Sequence, residues 1–234
     1  MSPGMTAERL LTAYRSGLSE DRVDTLIQQS TFTLRINGGP GFSIVSSPGD
    51  RETLVLGHLL TEGWLASCPG TPEITVGEDL VTVSVPGVNL PAPPSAVTSD
   101  HTISIEALLE LSATFSVMAV LHGRTGGTHS AALAVNGSIR CHSEDISRSA
   151  ALERAVGAAR IEGLPLSQSV LLLSSRVPLG FVQKAAQAGI PLIAAISAPT
   201  AQAADEAERL GICLCGFVRG SSANVYSRRF RVGL

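Results

Sequence analysis

The sequence predicts an α/β protein: a C-terminal domain built on a parallel sheet, preceded by a smaller mixed α+β part. Three observations predict it. Between residues 150 and 218, continuous apolar runs alternate with helical stretches, the pattern of βαβ units whose sheet is covered on both faces. Between residues 31 and 85 the apolar residues alternate with polar ones instead, as on half-buried strands. Between the two lie Pro86, Pro91, Pro93 and Pro94, a density that sustains neither helix nor sheet interior. The division therefore falls at 1–95 and 96–234.

The elements follow in order. Thr6 is placed to cap a helix to about residue 16, with Leu10, Leu11 and Tyr14 on one face. Phe32, Leu34 and Ile36 alternate over residues 31–37. The turn Asn37-Gly38-Gly39-Pro40-Gly41 then returns the chain as a partner strand, 42–46. Asp50 caps a helix over 51–62, and strands 73–76 and 80–85 form a second hairpin. Ser104 caps a long apolar helix over 105–121, stopped by His122-Gly123. Asn136-Gly137, between strands 131–135 and 138–141, is the strongest short hairpin signal. Helix 150–160, strand 170–174, helix 179–188, strand 192–196, helix 201–210 and strand 212–218 complete the chain. The tail Arg228-Arg229-Phe230-Arg231 reads as a solvated terminus.

Composition excludes several classes. Hydrophobic residues make up 44% and charged residues only 16%, against about 25% in an average domain, so the chain is not disordered. Its longest apolar stretches, 169–174 and 190–196, fall far short of the roughly 20 residues of a membrane helix. Glu8, Arg9 and Arg15 interrupt the N-terminal segment, so no secretion signal is read there and a cytoplasmic location is expected. A net charge of −3 argues against nucleic-acid binding. Lys184 is the only lysine, and the basic residues are otherwise arginine, the better fork for phosphate or carboxylate. Cys68, Cys141, Cys213 and Cys215 show no framework spacing and read as reduced thiols, with no metal site.

In a parallel α/β sheet the carboxyl ends of the strands share one edge, and ligands bind in the crevice there. Three polar turns follow the expected strands: Ser174-Ser175-Arg176, Ser197-Ala198-Pro199-Thr200 and Arg219-Gly220-Ser221-Ser222. They offer hydroxyls, backbone N–H groups, a helix N-terminus and two fixed positive charges, which together suit an anionic, phosphate-bearing ligand. As helix caps and solvated arginines the same residues need no ligand. Arg124-Thr125-Gly126-Gly127-Thr128-His129 is a second candidate, its glycines allowing close backbone approach. A plain turn followed by a core histidine fits it too. Cys213 and Cys215 share one strand face, as a thiol pair or as small buried hydrophobes. His142-Ser143-Glu144-Asp145 has a catalytic composition that a polar strand end also explains.

A family resemblance rests on several ordered stretches. They are Ser47-Pro48-Gly49-Asp50, Gly57-His58-Leu59-Leu60-Thr61-Glu62-Gly63, and Arg124 through Ala132. Val182-Gln183-Lys184-Ala185-Ala186-Gln187-Ala188-Gly189-Ile190-Pro191, Ser197-Ala198-Pro199-Thr200 and Gly216-Phe217-Val218-Arg219-Gly220 with Asn224-Val225-Tyr226 complete the set. This order, from about Thr31 to Ser227, closely resembles the formate dehydrogenase accessory sulfurtransferase family, FdhD. The resemblance implies a C-terminal three-layer domain similar to cytidine deaminase. It also implies a homodimer, and a ligand that is a molybdenum bis-pterin guanine dinucleotide cofactor or a guanine nucleotide. Partners implied are a molybdoenzyme apoprotein of the formate dehydrogenase type and a cysteine desulfurase. Arg124, Thr125, Gly126, Gly127, His129, Arg148, Ser174, Ser175, Arg176, Ser197, Ala198, Pro199, Thr200, Arg219, Gly220 and Asn224 are the residues expected to hold the ligand.

Two departures bear on function. The family carries a Cys-x-x-Cys loop ahead of the long helix, where this chain has Thr98-Ser99-Asp100-His101-Thr102-Ile103. A persulfide needs a thiolate, which neither Ser nor Asp supplies. The family's Gly-Arg-His-Asn-Ala is here Ser147-Arg148-Ser149-Ala150-Ala151. Deaminase chemistry is excluded as well, because His129-Ser130-Ala131 lacks the glutamate and no Pro-Cys-x-x-Cys exists. Three readings stay open: a cofactor-binding accessory protein, an enzyme reusing the crevice with Asp100, His101, His129 or Asp145 as acid–base groups, and a structural subunit beside a cysteine-bearing paralogue. The loop carrying Asp100 and His101 is expected at the crevice mouth.

Overall fold

A computed structural model describes residues 4–234. The N-terminus is not helical. Thr6–Arg15 (β1) and Leu18–Ile27 (β2) form a two-stranded antiparallel ribbon. Ser16 and Gly17, at φ 50° and 91°, make the two-residue turn that suits the twist of a hairpin. The Leu10, Leu11, Tyr14 spacing satisfies a helix pattern but has no core to bury a helical stripe against. Leu10 and Tyr14 instead stand exposed on one face of the ribbon.

Ser30–Ile36 (β3), Phe42–Ser46 (β4), Glu73–Val76 (β5) and Leu80–Ser84 (β6) form a sheet in the order β4-β3-β6-β5, with β3 and β6 parallel. Helix Arg51–Thr61 (α1) covers it. Asp50 caps the helix by accepting the Thr53 N–H at 3.0 Å. Phe32, Leu34, Leu54, Leu59 and Val81 close a small core between sheet and helix. The side chain of Asn37 fastens the following irregular segment, accepting from Val85 N at 2.6 Å and donating to Val88 O at 2.6 Å.

The second sheet has six strands in the order β12-β11-β10-β9-β7-β8. The expected long helix divides into Ile105–Val117 (α2) and Val120–Thr125 (α3). His129–Val135 (β7) and Ser138–Asp145 (β8) turn at Asn136-Gly137, both at positive φ. Arg148–Ile161 (α4), Ser169–Leu173 (β9), Leu179–Gln187 (α5), Leu192–Ala195 (β10), Ala201–Leu210 (α6), Cys213–Arg219 (β11) and Ser222–Val225 (β12) follow. β9, β10 and β11 are parallel, while β7 and β12 run antiparallel to their neighbours. Strand β12 was not anticipated, being short and polar.

Parity on the strands assigns the two faces. Ala131, Leu133, Leu171, Leu173, Ile193 and Ala195 pack with α4, α5 and α6. Ala132, Ala134, Val170, Leu172, Leu192 and Ala194 pack with α2. Val232 joins this second face, and Arg231 is 4% exposed, donating to the His101 carbonyl at 3.0 Å. The tail is therefore a packed terminus. Arg231 is buried beside Val232 and Arg228 pairs with Glu208, while Arg229 stays exposed.

Helix α1 lies hard against α4. A Cβ at Gly57 would stand 1.8 Å from the Glu153 carbonyl oxygen, and one at Gly157 2.0 Å from that of Thr53. At the same seam the buried Lys184 ammonium bridges Glu153, at 2.6 Å, and Glu62. His58 meets Glu153 at 3.1 Å.

Candidate functional site

The register places the carboxyl ends of β9, β10 and β11 on the same edge as the start of β7 and the end of β8, since Ala131 pairs Leu173 and His129 pairs Asp145. A cleft of about 430 Å³ opens there on the α2 face, lined by Phe115, Ser116, Ala119, His122, Thr128, His129, Ser130, Ser174 and Ile196. That volume lies within the usual range for small-ligand pockets.

Glu144 builds the roof. Its carboxylate accepts the Leu121 and His122 N–H groups, at 2.9 and 2.8 Å, and the Thr128 hydroxyl at 3.1 Å. No side chain within α3 caps that helix, so the acid on β8 satisfies its first donors from across the sheet. This outside cap is the physical reason the chain breaks after Val117 and starts again at Val120. His122 Nδ1 lies 2.7 Å from the Thr128 carbonyl oxygen, which makes it the protonated ring nitrogen.

The floor is fixed by reciprocal bonds between β7 and the turn after β9. Ser130 N donates to Ser174 Oγ at 2.8 Å, and Ser174 N to Ser130 O at 3.0 Å. Ser130 is 3% exposed, and its own hydroxyl has no hydrogen-bond partner although the residue lines the cleft. A buried hydroxyl in that state costs free energy until something fills its valence.

Positive charge gathers at His129. Burial lowers its proton affinity first, and Arg148, His122 and Arg176 lower it further. The turns after β9 and β10 are bound together, Val177 N donating to Ala198 O at 3.0 Å and Thr200 N to Val177 O at 3.0 Å. Thr200 spends its hydroxyl as the cap of α6, and Ser175 donates to the Arg176 carbonyl. Gly216 admits the turn after β10, since a Cβ there would reach within 2.8 Å of Pro199 Cδ. Arg219 and Gly220 end β11 at this edge, and Asn224 on β12 pairs with Gly216.

Several sequence-derived candidates take other places. Arg124 and Thr125 belong to α3, and Gly126 ends it at φ 65°. The N–H groups of Gly126 and Gly127 are spent on His122 O and Thr125 Oγ1, so this turn is an internal brace and no N–H cradle. The loop with Asp100 and His101 lies at the opposite edge of the sheet. Ser99 Oγ donates to Ser167 O, ahead of β9, and Val97 N to Leu210 O, ahead of β11. Helix α2 then spans the sheet, about 20 Å for its length, so this loop is not at the crevice mouth. Asp145 is fully buried and accepts from Ser47 N, Ser147 N and Arg154 Nε. Burial raises its proton affinity against those donors, and it ties β4's end to α4 outside the cleft.

The sequence reading missed Phe115, Ser116, His122, Ser130 and Ile196, while Thr128 lay within the candidate segment 124–129. One signal was present: Ser130 and Ser174 share strand parity with the apolar residues facing α2, so each is a polar position at the end of a buried row. The thiols are dispersed. Cys141 is buried, and burial with Glu162 pushes it up to about 11. Cys213 and Cys215 lie buried with sulfurs 3.8 Å apart, and the contact with Cys213, together with burial, raises the cost of ionising Cys215. Cys68 is half-buried and donates to Gly70 O at 3.1 Å. Among the described residues, His58, Glu62 and Glu153 form the one group of metal-ligand type, and Lys184 already supplies its positive charge.

No helix among the described residues is long and apolar enough to cross a membrane. The chain is 34% identical to the sulfur carrier protein FdhD of Streptomyces coelicolor, covering 98% of this chain and 96% of that one. It is 28% identical to the protein of the same name from Methanothermobacter thermautotrophicus, over 97% and 100%. The Streptomyces alignment spans 272 positions, more than the 234 residues here, so that relative carries segments this chain lacks. A crystal structure from Desulfotalea psychrophila, named as a formate dehydrogenase accessory protein, superposes with a TM-score of 0.84 at 20% identity, over 97% and 99% of the two chains. That likeness gives the mixed α/β fold. The profile of the FdhD/NarQ family matches residues 88–233, which hold the whole cleft. With that match and full-length relatives above 30% identity, the chain belongs to the FdhD/NarQ family.

Proposed function

We propose that this protein is a cytoplasmic accessory factor that binds the guanine-nucleotide end of a pterin guanine dinucleotide cofactor for a molybdoenzyme of the formate dehydrogenase type, and that it no longer carries sulfur. The observation that carries the binding half is the pair of arginines, Arg148 and Arg176, acting on His129 beside the unfilled Ser130 hydroxyl. The donor set suits a phosphate, with Phe115 and Ile196 as apolar surface for a flat base. At about 430 Å³ the cleft takes one nucleotide-sized arm and leaves the rest of a bis-pterin cofactor outside. The bound cofactor would supply the metal centre of the client. The chain's own residues bind, orient and shield one end of it. A deaminase-like layering of the C-terminal domain accords with helices on both faces of the six-stranded sheet.

The relatives are named sulfur carriers. In this chain the loop that bears the family's cysteines has Ser99, Asp100 and His101, and three of the four remaining thiols are buried. A buried thiol with a raised pKa is a poor nucleophile toward a sulfur donor. Calorimetry with guanosine diphosphate tests the first half, and incubation with a cysteine desulfurase, cysteine and an acceptor tests the second. Binding without transferable persulfide is expected. No heat at millimolar nucleotide would remove the binding reading. Persulfide on Cys68, with transfer abolished in Cys68→Ala, would restore a sulfur carrier with a relocated thiol.

A further inference from the structure

The segment over the cleft is fixed in place from outside. Helix α3, Val120–Thr125, has six residues, too few to hold as a helix by itself. Leu121 is its one buried residue, while Val120 is 54% exposed and Val117, just ahead of it, 80%. The chain on either side does not dictate where α3 lies. Met118 and Ala119 part it from α2, Ala119 having left the helical region at φ −76°, ψ 65°. Gly126, at φ 65°, opens the turn towards β7. Within itself α3 is braced, Thr125 Oγ1 donating to Leu121 O at 2.8 Å and Gly127 N to Thr125 Oγ1 at 3.2 Å. Ile27 of β2 steadies the far end, at Gly127. A short element with so little buried apolar surface opens at low cost unless something else holds its start.

Glu144 is what holds it. It stands on β8 directly opposite Ser130, the floor residue whose hydroxyl is unfilled, so its stem rises beside the floor and its carboxylate meets the roof. Oε1 accepts Leu121 N at 2.9 Å, and Oε2 accepts both His122 N at 2.8 Å and Thr128 Oγ1 at 3.1 Å. Those N–H groups are the second and third of α3, the pair that an N-cap side chain ordinarily serves, and Ala119 at the cap position has no oxygen to offer. His122, which lines the cleft, is thereby placed twice, by its N–H on Glu144 and by Nδ1 on the Thr128 carbonyl. Floor and roof are tied to one cross-strand pair.

We propose that Glu144 is a positioning residue for the cleft, a latch that holds α3 closed over a bound ligand, and that the ligand leaves as α3 lifts from this carboxylate. The inference rests on the reading of the cleft as a nucleotide site and adds what keeps that site shut. With its oxygens engaged on the roof, Glu144 presents little free negative charge to the ligand. The phosphate end is left to the side of His129, where Arg148 and Arg176 act.

Glutamine separates the latch from mere bulk. It matches glutamate in size, but one of its two head atoms is an NH2 donor, so it cannot accept from both sides. Glu144→Gln therefore sets a donor against one of α3's own donors. The full-length protein is tested in two ways: amide hydrogen exchange by NMR, and stopped-flow release of guanosine diphosphate carrying an N-methylanthraniloyl reporter. In Glu144→Gln the Leu121 and His122 amides are expected to exchange about tenfold faster or more, as for a lost charged hydrogen bond, while those of β9, β10 and β11 keep their protection. The nucleotide is expected to dissociate faster by a similar factor, with its association rate changed less than about twofold, since most such effects appear in dissociation. Adding Ala119→Ser supplies an N-cap hydroxyl to the same two N–H groups and is expected to restore part of both. Unchanged exchange at Leu121 and His122 would overturn the latch, and so would unchanged release of the nucleotide. A loss of protection throughout the chain that Ala119→Ser leaves unrepaired would give Glu144 a purely structural role and overturn it too. If the wild-type protein does not bind the nucleotide, the nucleotide reading falls, and the exchange at Leu121 and His122 alone decides whether Glu144 holds α3.

Discussion

Burial makes the His129 imidazole reluctant to take a proton, and the neighbouring arginines and His122 add to that reluctance. Free of ligand it therefore titrates below the ordinary histidine value of about 6.5. A bound phosphate reverses the local sign, favouring the imidazolium, so NMR titration is expected to show the His129 pKa rising on addition of guanosine diphosphate. By linkage, affinity then strengthens as pH falls through the ligand-bound value. An unchanged pKa would place the phosphate elsewhere. Arg176→Ala removes a fixed donor from this surround and is expected to cost about 1.5–3 kcal/mol of nucleotide affinity, as for a lost charged hydrogen bond, read by calorimetry. Stability carries its own pH signature. His101, His129 and His142 are all held below their ordinary value, burial being the first cause in each. Each takes a proton more readily once unfolded. Their contribution is present above about pH 6.5 and is lost as pH falls through the lowered values, so the melting temperature is expected to drop between neutral pH and pH 5.

Element by element, legibility followed burial. The helices α4, α5 and α6 and the strands β9, β10 and β11 were readable because their apolar periods are those of a covered parallel sheet, and each alternates with the next within a short span. The Asp50 and Ser104 caps and the Asn136-Gly137 turn are local signals that need no tertiary context. What failed depended on partners distant in sequence. The 6–16 stretch has a helical stripe but nothing to pack it on. The break between α2 and α3 depends on Glu144, supplied by β8. The placement of Asp100 and His101 depended on which way α2 crosses the sheet, which no local pattern states. Asp100→Ala and His101→Ala are accordingly expected to leave nucleotide affinity unchanged, since α2 separates them from the cleft, and a loss by calorimetry in either would refute that separation. Gly57 shows the opposite case, a single residue whose meaning lies in the contact between two helices. Gly57→Ala is expected to destabilise by about 3 kcal/mol through overpacking against the α4 backbone, measured as a lowered urea midpoint.

At the scale of the molecule, the proline-rich segment divides the chain at 1–95 and 96–234, and the seam between the two sheets is closely fastened. Helix α1 meets α4 backbone to backbone at Gly57 and Gly157. Arg154, on α4, donates to Asp145 at 3.1 Å and to the Ser47 carbonyl at 2.9 Å, and Lys184 bridges Glu62 of one part to Glu153 of the other. Lys184 is the only lysine, and a compact ammonium fits between two carboxylates in a way that a planar guanidinium does not. Removing one member of a buried pair leaves the other charge uncompensated, at a cost of about 3–5 kcal/mol. Lys184→Met should therefore destabilise both parts together. The single tryptophan, Trp64, packs on the N-terminal core, so its fluorescence reports that part, while far-ultraviolet circular dichroism is dominated by the helices of the C-terminal part. Coincident urea transitions by the two probes, shifted together in Lys184→Met and partly restored in Lys184→Met with Glu153→Leu, are the expected result. If fluorescence and dichroism separate in the wild-type protein, the two parts fold independently and the seam is only a contact.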